Sequence, residues 1–264
     1  MPRLMRELDR EYVLHLIATI LYTTSSTTKQ SKPAHQTFTM ASSTLKPIKT
    51  YGNAGPNPPK VIMILEELGL PYEVQAIGFA EVKQPEYLAV NPNGRVPAIH
   101  DPNTGLTLWE SGAIVEYLVE TYDKDNKLSF PRGSNESYLT KQWLFYQTTG
   151  QGPYYGQAVW FTKFHTEKIE SAVDRYVKEV HRVTSVVEGH LAQQKAKAGD
   201  EGPWLVGGRV SYADIAWYPW QFMITKALPE GTIKYDEYPN VTKWLANLAA
   251  RDSIKLAMDQ GPKH

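Results

Sequence analysis

The chain has 264 residues, 42% of them hydrophobic, and its 28 basic and 28 acidic side chains balance to zero net charge. That length holds one large domain or two small ones with a proper core, and a neutral chain without a lysine or arginine stripe excludes nucleic acid as the main partner. No cysteine is present, which excludes disulfides, thiolate metal ligands and a thiol nucleophile of the protein's own, and the seven histidines show no close pair at metal-ligand spacing, so no metal site is expected.

Residues 1–39 differ from the rest. Their apolar stretch from Val13 to Tyr22 is too short for a bilayer, which needs roughly 20 residues. Glu7, Asp9 and Glu11 cancel Arg3, Arg6 and Arg10, so neither a secretory signal nor a mitochondrial transit peptide is indicated. The expectation over residues 1–44 is a disordered extension ahead of a cytoplasmic protein with no membrane partner. Met40-Ala-Ser-Ser reads as a natural beginning just before regular structure sets in.

From Lys46 the pattern becomes regular. Ile48 to Tyr51 alternates like a strand, and "GNAGPNPP" is a turn-rich loop. "KVIMILEELG" follows with Val61, Ile62, Leu65 and Leu68 at helical spacing and Gly69 as a stop. "YEVQAIGF" reads as a second strand and Pro85 to Asn91 as a short helix. "VPAI" and "LTLW" then read as a strand pair across "HDPNTG", and "SGAIVEYLVETY" as a third helix. Strand, helix, strand, helix, strand, strand, helix is the order of a thioredoxin-like domain. After residues 124–135 the strands stop, and four amphipathic segments predict a helical bundle, the first of them "ESYLTKQWLFYQTTGQGPYYGQAVWFTKF". The fold class expected is α/β followed by all-α, with a thioredoxin-like domain over 45–123 and an all-helical domain over 134–264.

Two motifs carry chemistry. A proline cannot donate to a strand ladder, so Pro97 inside "RVPAI" marks an edge or a bend, and X-Pro bonds tolerate cis. A chain bent there frees the Val96 amide and carbonyl to pair with another extended backbone. Ser111 stands at a helix N-terminus, where unpaired amides attract a carboxylate, and Glu110 beside it can hold an ammonium group. A ligand with an extended amide at one end and an amino-acid zwitterion at the other fits both parts, and glutathione is such a ligand. Taken singly, each motif also fits a plain strand proline and a plain helix cap.

From Leu45 to Met258 the chain resembles the cytosolic glutathione transferases, in the fungal branch related to the yeast nitrogen-catabolite regulator and the similar bacterial Nu class. "GPNPPKVIMILEELGLPYE", "PEYLAVNPNGRVPAI", "LWESGAIVEYL" and "WLVGGRVSYADIAWYPW" carry the resemblance. It implies a homodimer that binds glutathione as co-substrate, with Val96 and Pro97 at the cysteinyl backbone and Glu110 and Ser111 at the γ-glutamyl end. In this branch the thiol is held by an asparagine at the start of the first helix, a position that Asn57 occupies, with Tyr51 as the competitor and Asn53 behind it. Lys83 stands near a departure from the branch, Val82, and is a candidate for the glycyl carboxylate. The long Asn/Gln-rich segment of the yeast regulator is absent.

The second substrate is expected between the two domains, against Tyr154, Tyr155, Trp160 and Phe164 of "GPYYGQAVWFTKF", with Tyr51 opposite. Aromatic residues at helical spacing are mostly core, but Tyr154 and Tyr155 adjoin Gly152-Pro153, where a helix break exposes side chains. Ser211 and Asp214 have capping-box spacing, a structural assignment. The expected activity is conjugation of glutathione to an electrophile, peroxide reduction or disulfide exchange, or one dedicated step of fungal secondary metabolism. The alternative is a non-catalytic regulatory protein on the same fold.

Overall fold

Ile48–Tyr51 (β1) buries alternate side chains, Ile48 and Thr50, as a strand with one face against a core must. It pairs in parallel with Tyr72–Gln75 (β2) and antiparallel with Ala98–Asp101 (β3), which carries Leu106–Trp109 (β4) at the edge, giving the order β2-β1-β3-β4. The computed structural model describes residues 45–78, 80–198 and 202–259, which belong to one unit, Thr44–His264. The expectation for residues 1–44 lies outside the described residues.

β2 is shorter than the sequence pattern suggests. Its partner β1 ends at Tyr51, and the Gly52 amide, 2.8 Å from the Gln75 carbonyl, makes the last ladder bond. Beyond it an edge strand has nothing to pair with. β3 begins one residue after Pro97, whose missing N–H cannot serve the ladder, and it runs on through His100 and Asp101, so the hairpin turn is confined to residues 102–105. Buried Asp101 accepts hydrogen bonds from the Tyr117 and Tyr122 hydroxyls at 2.7 and 2.5 Å. Those bonds fasten the hairpin to Ser111–Tyr122 (α3).

Pro58–Glu67 (α1) opens with two prolines, suited to a first turn whose amides lack partners anyway. Val61 to Leu65 are all buried, because the helix is covered on one side by the sheet half and on the other by the bundle. Each such side chain contributes roughly 1.5 to 3 kcal/mol on burial. Pro85–Leu88 (α2) is a single turn.

The bundle comprises Asn135–Tyr146 (α4), Gly152–Val159 (α5), Glu170–Ala198 (α6), Tyr212–Ala227 (α7), Pro239–Ala249 (α8) and Asp252–Asp259 (α9). The expected first long helix is divided by wide π turns at Gln147–Gln151 and Trp160–Phe164. Pro153 at the start of α5 cannot donate, and the Gly152 amide reaches back five residues to the Gln147 carbonyl instead. α7 starts in the capping box of Ser211 and Asp214, and Asp214 also accepts from the Leu205 amide and the Trp244 indole at 2.8 and 2.9 Å.

Candidate functional site

A cleft of about 700 Å3 opens where the sheet half meets the bundle. The sheet half lines it with Asn57, Lys60, Arg95, Val96, Glu110 and Ser111, and the bundle with Pro153, Gln157, Trp160 and Trp220. The Val96-Pro97 peptide is cis. Tyr87 Oη and Asn91 Nδ2 both donate to the Arg95 carbonyl, at 2.7 and 2.6 Å, fixing the backbone that leads into Val96. Gly52 leaves Val96 its room: a Cβ there would lie 2.4 Å from Val96 Cγ1, at a φ of +90° that side chains avoid.

Glu110 has a φ of 74°, a left-handed value uncommon for a residue with a Cβ and a mark of a site held by its surroundings. Its carbonyl accepts from the Ile114 amide at 2.9 Å to begin α3, while its side chain stays exposed at the rim. Next to it Ser111 is buried, and its Oγ lies 3.2 Å from Lys60 Nζ.

Lys60 is 2% exposed, at the floor of the cleft. Burial pushes its ammonium group down to about 7, against the pull of the Glu110 charge upward. Lys60 Nζ also donates to Gln147 Oε1 at 2.7 Å. From there the bonds run head to tail: Gln147 Nε2 to Gln151 Oε1 at 2.8 Å, Gln151 Nε2 to Gln221 Oε1 at 3.0 Å, Gln221 Nε2 to Thr184 Oγ1 at 3.3 Å, and Thr184 Oγ1 to the Val180 carbonyl at 2.8 Å. A lysine of the sheet half thus heads a buried polar row that crosses the bundle.

Asn57 precedes α1 and makes no side-chain cap to it. Its Oδ1 accepts from Trp220 Nε1 at 3.1 Å. The carboxamide NH2 is left as the half without a partner among the described residues. Chemically the cleft offers basic groups in Lys60 and Arg95, a carboxylate in Glu110, a hydroxyl at a helix start in Ser111, and side-chain amides in Asn57 and Gln157.

The structure therefore gathers Asn57, Val96, Pro97, Glu110, Ser111 and Trp160 around one cleft. Several other expected residues lie elsewhere. Lys83 Nζ is exposed and bonded to the Asn93 carbonyl at 3.0 Å, and Arg95 is the cation on that side of the cleft. Tyr51 lines a separate hollow of about 320 Å3 with Gln75 and Tyr87. Tyr155 is fully buried, its hydroxyl 2.8 Å from Thr184 Oγ1 and 3.0 Å from Gln221 Oε1, because it faces α6 and α7. Tyr154 packs against the core with Arg182 over its ring. Phe164 is exposed on the π turn beyond Trp160, their ring centroids 6.2 Å apart. Sequence reasoning missed Lys60, Arg95 and Trp220. Lys60 left one signal, a lone cation inside the apolar run of "PPKVIMIL".

The fold and the cleft define a class that sequence comparison makes explicit. The family model described as "Glutathione S-transferase, N-terminal domain" matches residues 46–120, and "Glutathione S-transferase, C-terminal domain" matches residues 153–252. The chain belongs to the glutathione S-transferase family. Within it, the chain is 57% identical over 215 residues to "Glutathione S-transferase-like protein tpcF" of Aspergillus fumigatus, covering 81% of this chain and 96% of that protein. A solved glutathione transferase from Phanerochaete chrysosporium, URE2P6, in complex with oxidized glutathione superposes with a TM-score of 0.75 at 45% identity, over 81% of this chain and 96% of that one. The nitrogen regulation fragment of the yeast prion protein Ure2p superposes with a TM-score of 0.75 at 35% identity, over 88% and 99%.

Proposed function

We propose that the protein is a glutathione transferase that stabilises the thiolate of glutathione in this cleft and directs it at a second, small-molecule substrate. In this reading residues 45–123 hold glutathione: the cysteinyl main chain pairs with Val96 beside Pro97, and the γ-glutamyl zwitterion sits between Glu110, which takes its ammonium, and Ser111 with Lys60, which take its carboxylate. Arg95 takes the glycyl carboxylate. The helical residues 134–264 supply the wall for the second substrate, with the exposed Trp160 as its main aromatic surface. The homodimer buries Tyr138, Leu139 and Phe145, which α4 exposes, and the protein works in the cytoplasm; among the described residues no helix is long and apolar enough to cross a membrane.

The observation that carries the proposal is the Asn57 carboxamide, whose acceptor is engaged by Trp220 and whose NH2 has no partner among the described residues. A free thiol titrates near 8.5, and a hydrogen bond to a charged group contributes about 1.5 to 3 kcal/mol, roughly one to two pKa units. An amide accepts no proton at neutral pH, so the thiol proton leaves to solvent while the NH2 group holds the thiolate. The sulfur lone pair then forms a C–S bond as the leaving group departs with the electron pair of its own bond, or attacks a peroxide or disulfide, where the O–O or S–S bond breaks and the departing oxygen or thiolate keeps that bond's pair and, for oxygen, takes up a proton from solvent.

The test is the ultraviolet thiolate absorbance of bound glutathione, titrated with pH for wild type and Asn57→Ala. The expected outcome is a bound thiol titrating below the free one in wild type and shifted up by about one unit in the variant. A second reading, a regulatory protein that binds glutathione without activating it, is favoured by the likeness to the nitrogen regulation fragment of Ure2p. Glutathione bound only as the neutral thiol in wild type would decide for that reading.

A further inference from the structure

An indole N–H can donate and cannot accept, so the Asn57 atom facing Trp220 Nε1 is the carbonyl oxygen. That one bond settles which end of a two-ended side chain faces the cleft. Rotated by half a turn, Asn57 would present its oxygen, whose lone pairs repel an anion.

The indole is itself held. Its ring meets Tyr155 edge-on, with centroids 6.4 Å apart and planes at 86°, and Tyr155 is fully buried between Thr184 and Gln221. On the α5 side the ring lies over two glycines. A Cβ at Gly156 would come to 3.5 Å from Trp220 Cη2, and one at Gly152 to 3.6 Å from Nε1. Both are ordinary contact distances, so the ring packs against α5 at a separation that even a Cβ would respect. Trp220 thus transmits the rigidity of α5 and α7 to a side chain 163 residues away, at the entrance of α1.

We propose that Trp220 is the positioning residue of this site: its indole N–H locks the Asn57 carboxamide with the NH2 donor turned towards the thiolate. The proposal rests on the reading of Asn57 as the thiolate donor, and its test separates the two. The pKa of the bound glutathione thiol is measured by ultraviolet absorbance in wild type, Asn57→Ala, Trp220→Phe and the double variant, alongside the affinity for S-methylglutathione, which has no thiol to titrate. A second replacement of Trp220, by benzothienylalanine, keeps the bicyclic ring and removes only the N–H, so the test stands if Trp220→Phe does not fold.

The expected result is a rise of the thiol pKa on loss of the indole N–H, with at least about a threefold fall in thiolate fraction at pH 7. The double variant should titrate as Asn57→Ala alone, and affinity for S-methylglutathione should stay within about twofold of wild type. A thiol pKa unchanged without the N–H, while Asn57→Ala raises it, overturns the role of Trp220 alone. Shifts that add in the double variant overturn it as well, because the indole would then act on the thiol without Asn57. No shift in Asn57→Ala overturns the donor assignment and this proposal together.

Discussion

Lys60 carries a charge to where charge is costly, and its surroundings offset part of that cost with two hydrogen bonds and the Glu110 carboxylate. Folded, it titrates at about 7, against an ordinary value of 10.5. Between those values the unfolded chain binds more protons than the folded one, so stability rises with pH across the interval. Lys60→Met removes the titration. The urea midpoint of wild type should therefore gain on that of Lys60→Met from pH 7 to pH 10, and a constant gap would show that the buried amine stays charged throughout. Asn57 was reached only through the family resemblance, whereas Val96-Pro97 and Glu110-Ser111 were legible as one neighbourhood because each is a local motif whose chemistry is complete within two or three residues. Lys60 was not, since a lysine in an amphipathic helix ordinarily faces solvent, and only the bundle closing over α1 buries it. Trp220 was not legible for another reason: its partner is set by tertiary packing.

At the level of elements, the sequence foretold helix and strand identity better than their ends. The strand, helix and hairpin order follows from apolar spacing and holds in the structure. The end of β2 depends on where its neighbour stops, and the π turn ahead of α5 goes with Pro153 and with the buried Gln147 and Gln151 side chains that it aims inward. The misplacement of Tyr155 has the same origin: a π turn shifts the phase of the helix that follows, so a side chain expected at the break points into the core. The α7 start was legible as a capping box, although the indole of Trp244 on α8 could not be foreseen. Asp214 thereby holds α7, α8 and the loop at Leu205 together through four accepted bonds of 2.7 to 2.9 Å. Asp214→Ala strands those donors in the core and should cost at least about 3 kcal/mol in urea unfolding. A loss under about 1 kcal/mol would show the donors to be satisfied without it.

Across the whole molecule the two halves are joined at α1, which packs against α3, α7 and α9. Glu67 at its end takes a fork of two bonds from Arg251, each 2.6 Å, and a third from Ser253 at 2.5 Å. Burial pushes the Glu67 carboxyl up, but the bonds from Arg251 and Ser253 and the guanidinium charge outweigh it and hold the group below its ordinary value. A depressed carboxyl contributes stability above its unfolded pKa of 4.5 that is lost as pH falls through the folded one. Arg251→Met should accordingly lose more stability at pH 7 than at pH 3, seen as a shallower acid limb in melting temperature against pH. Equal losses at both would place the clamp's contribution in packing instead.

The row from Lys60 to Val180 has a sense of direction. An amide taken alone can face either way, and a file of such groups has two arrangements, all heads forward or all heads back, between which its fixed neighbours decide. An ammonium group donates only, so while Lys60 holds its proton it requires the Gln147 oxygen to face it and sets the sense of the row from that end, as one compass needle sets those next to it. The helical half has a reference of its own, the Trp217 carbonyl, which can only accept and takes the Gln151 NH2 group at 3.1 Å. The two references agree: the sense that Lys60 demands of Gln147 is the one the Trp217 carbonyl demands of Gln151, so the sheet half docks onto a polar row already facing the right way, and a half seated without its lysine would leave the Gln147 oxygen at the head of that row unanswered.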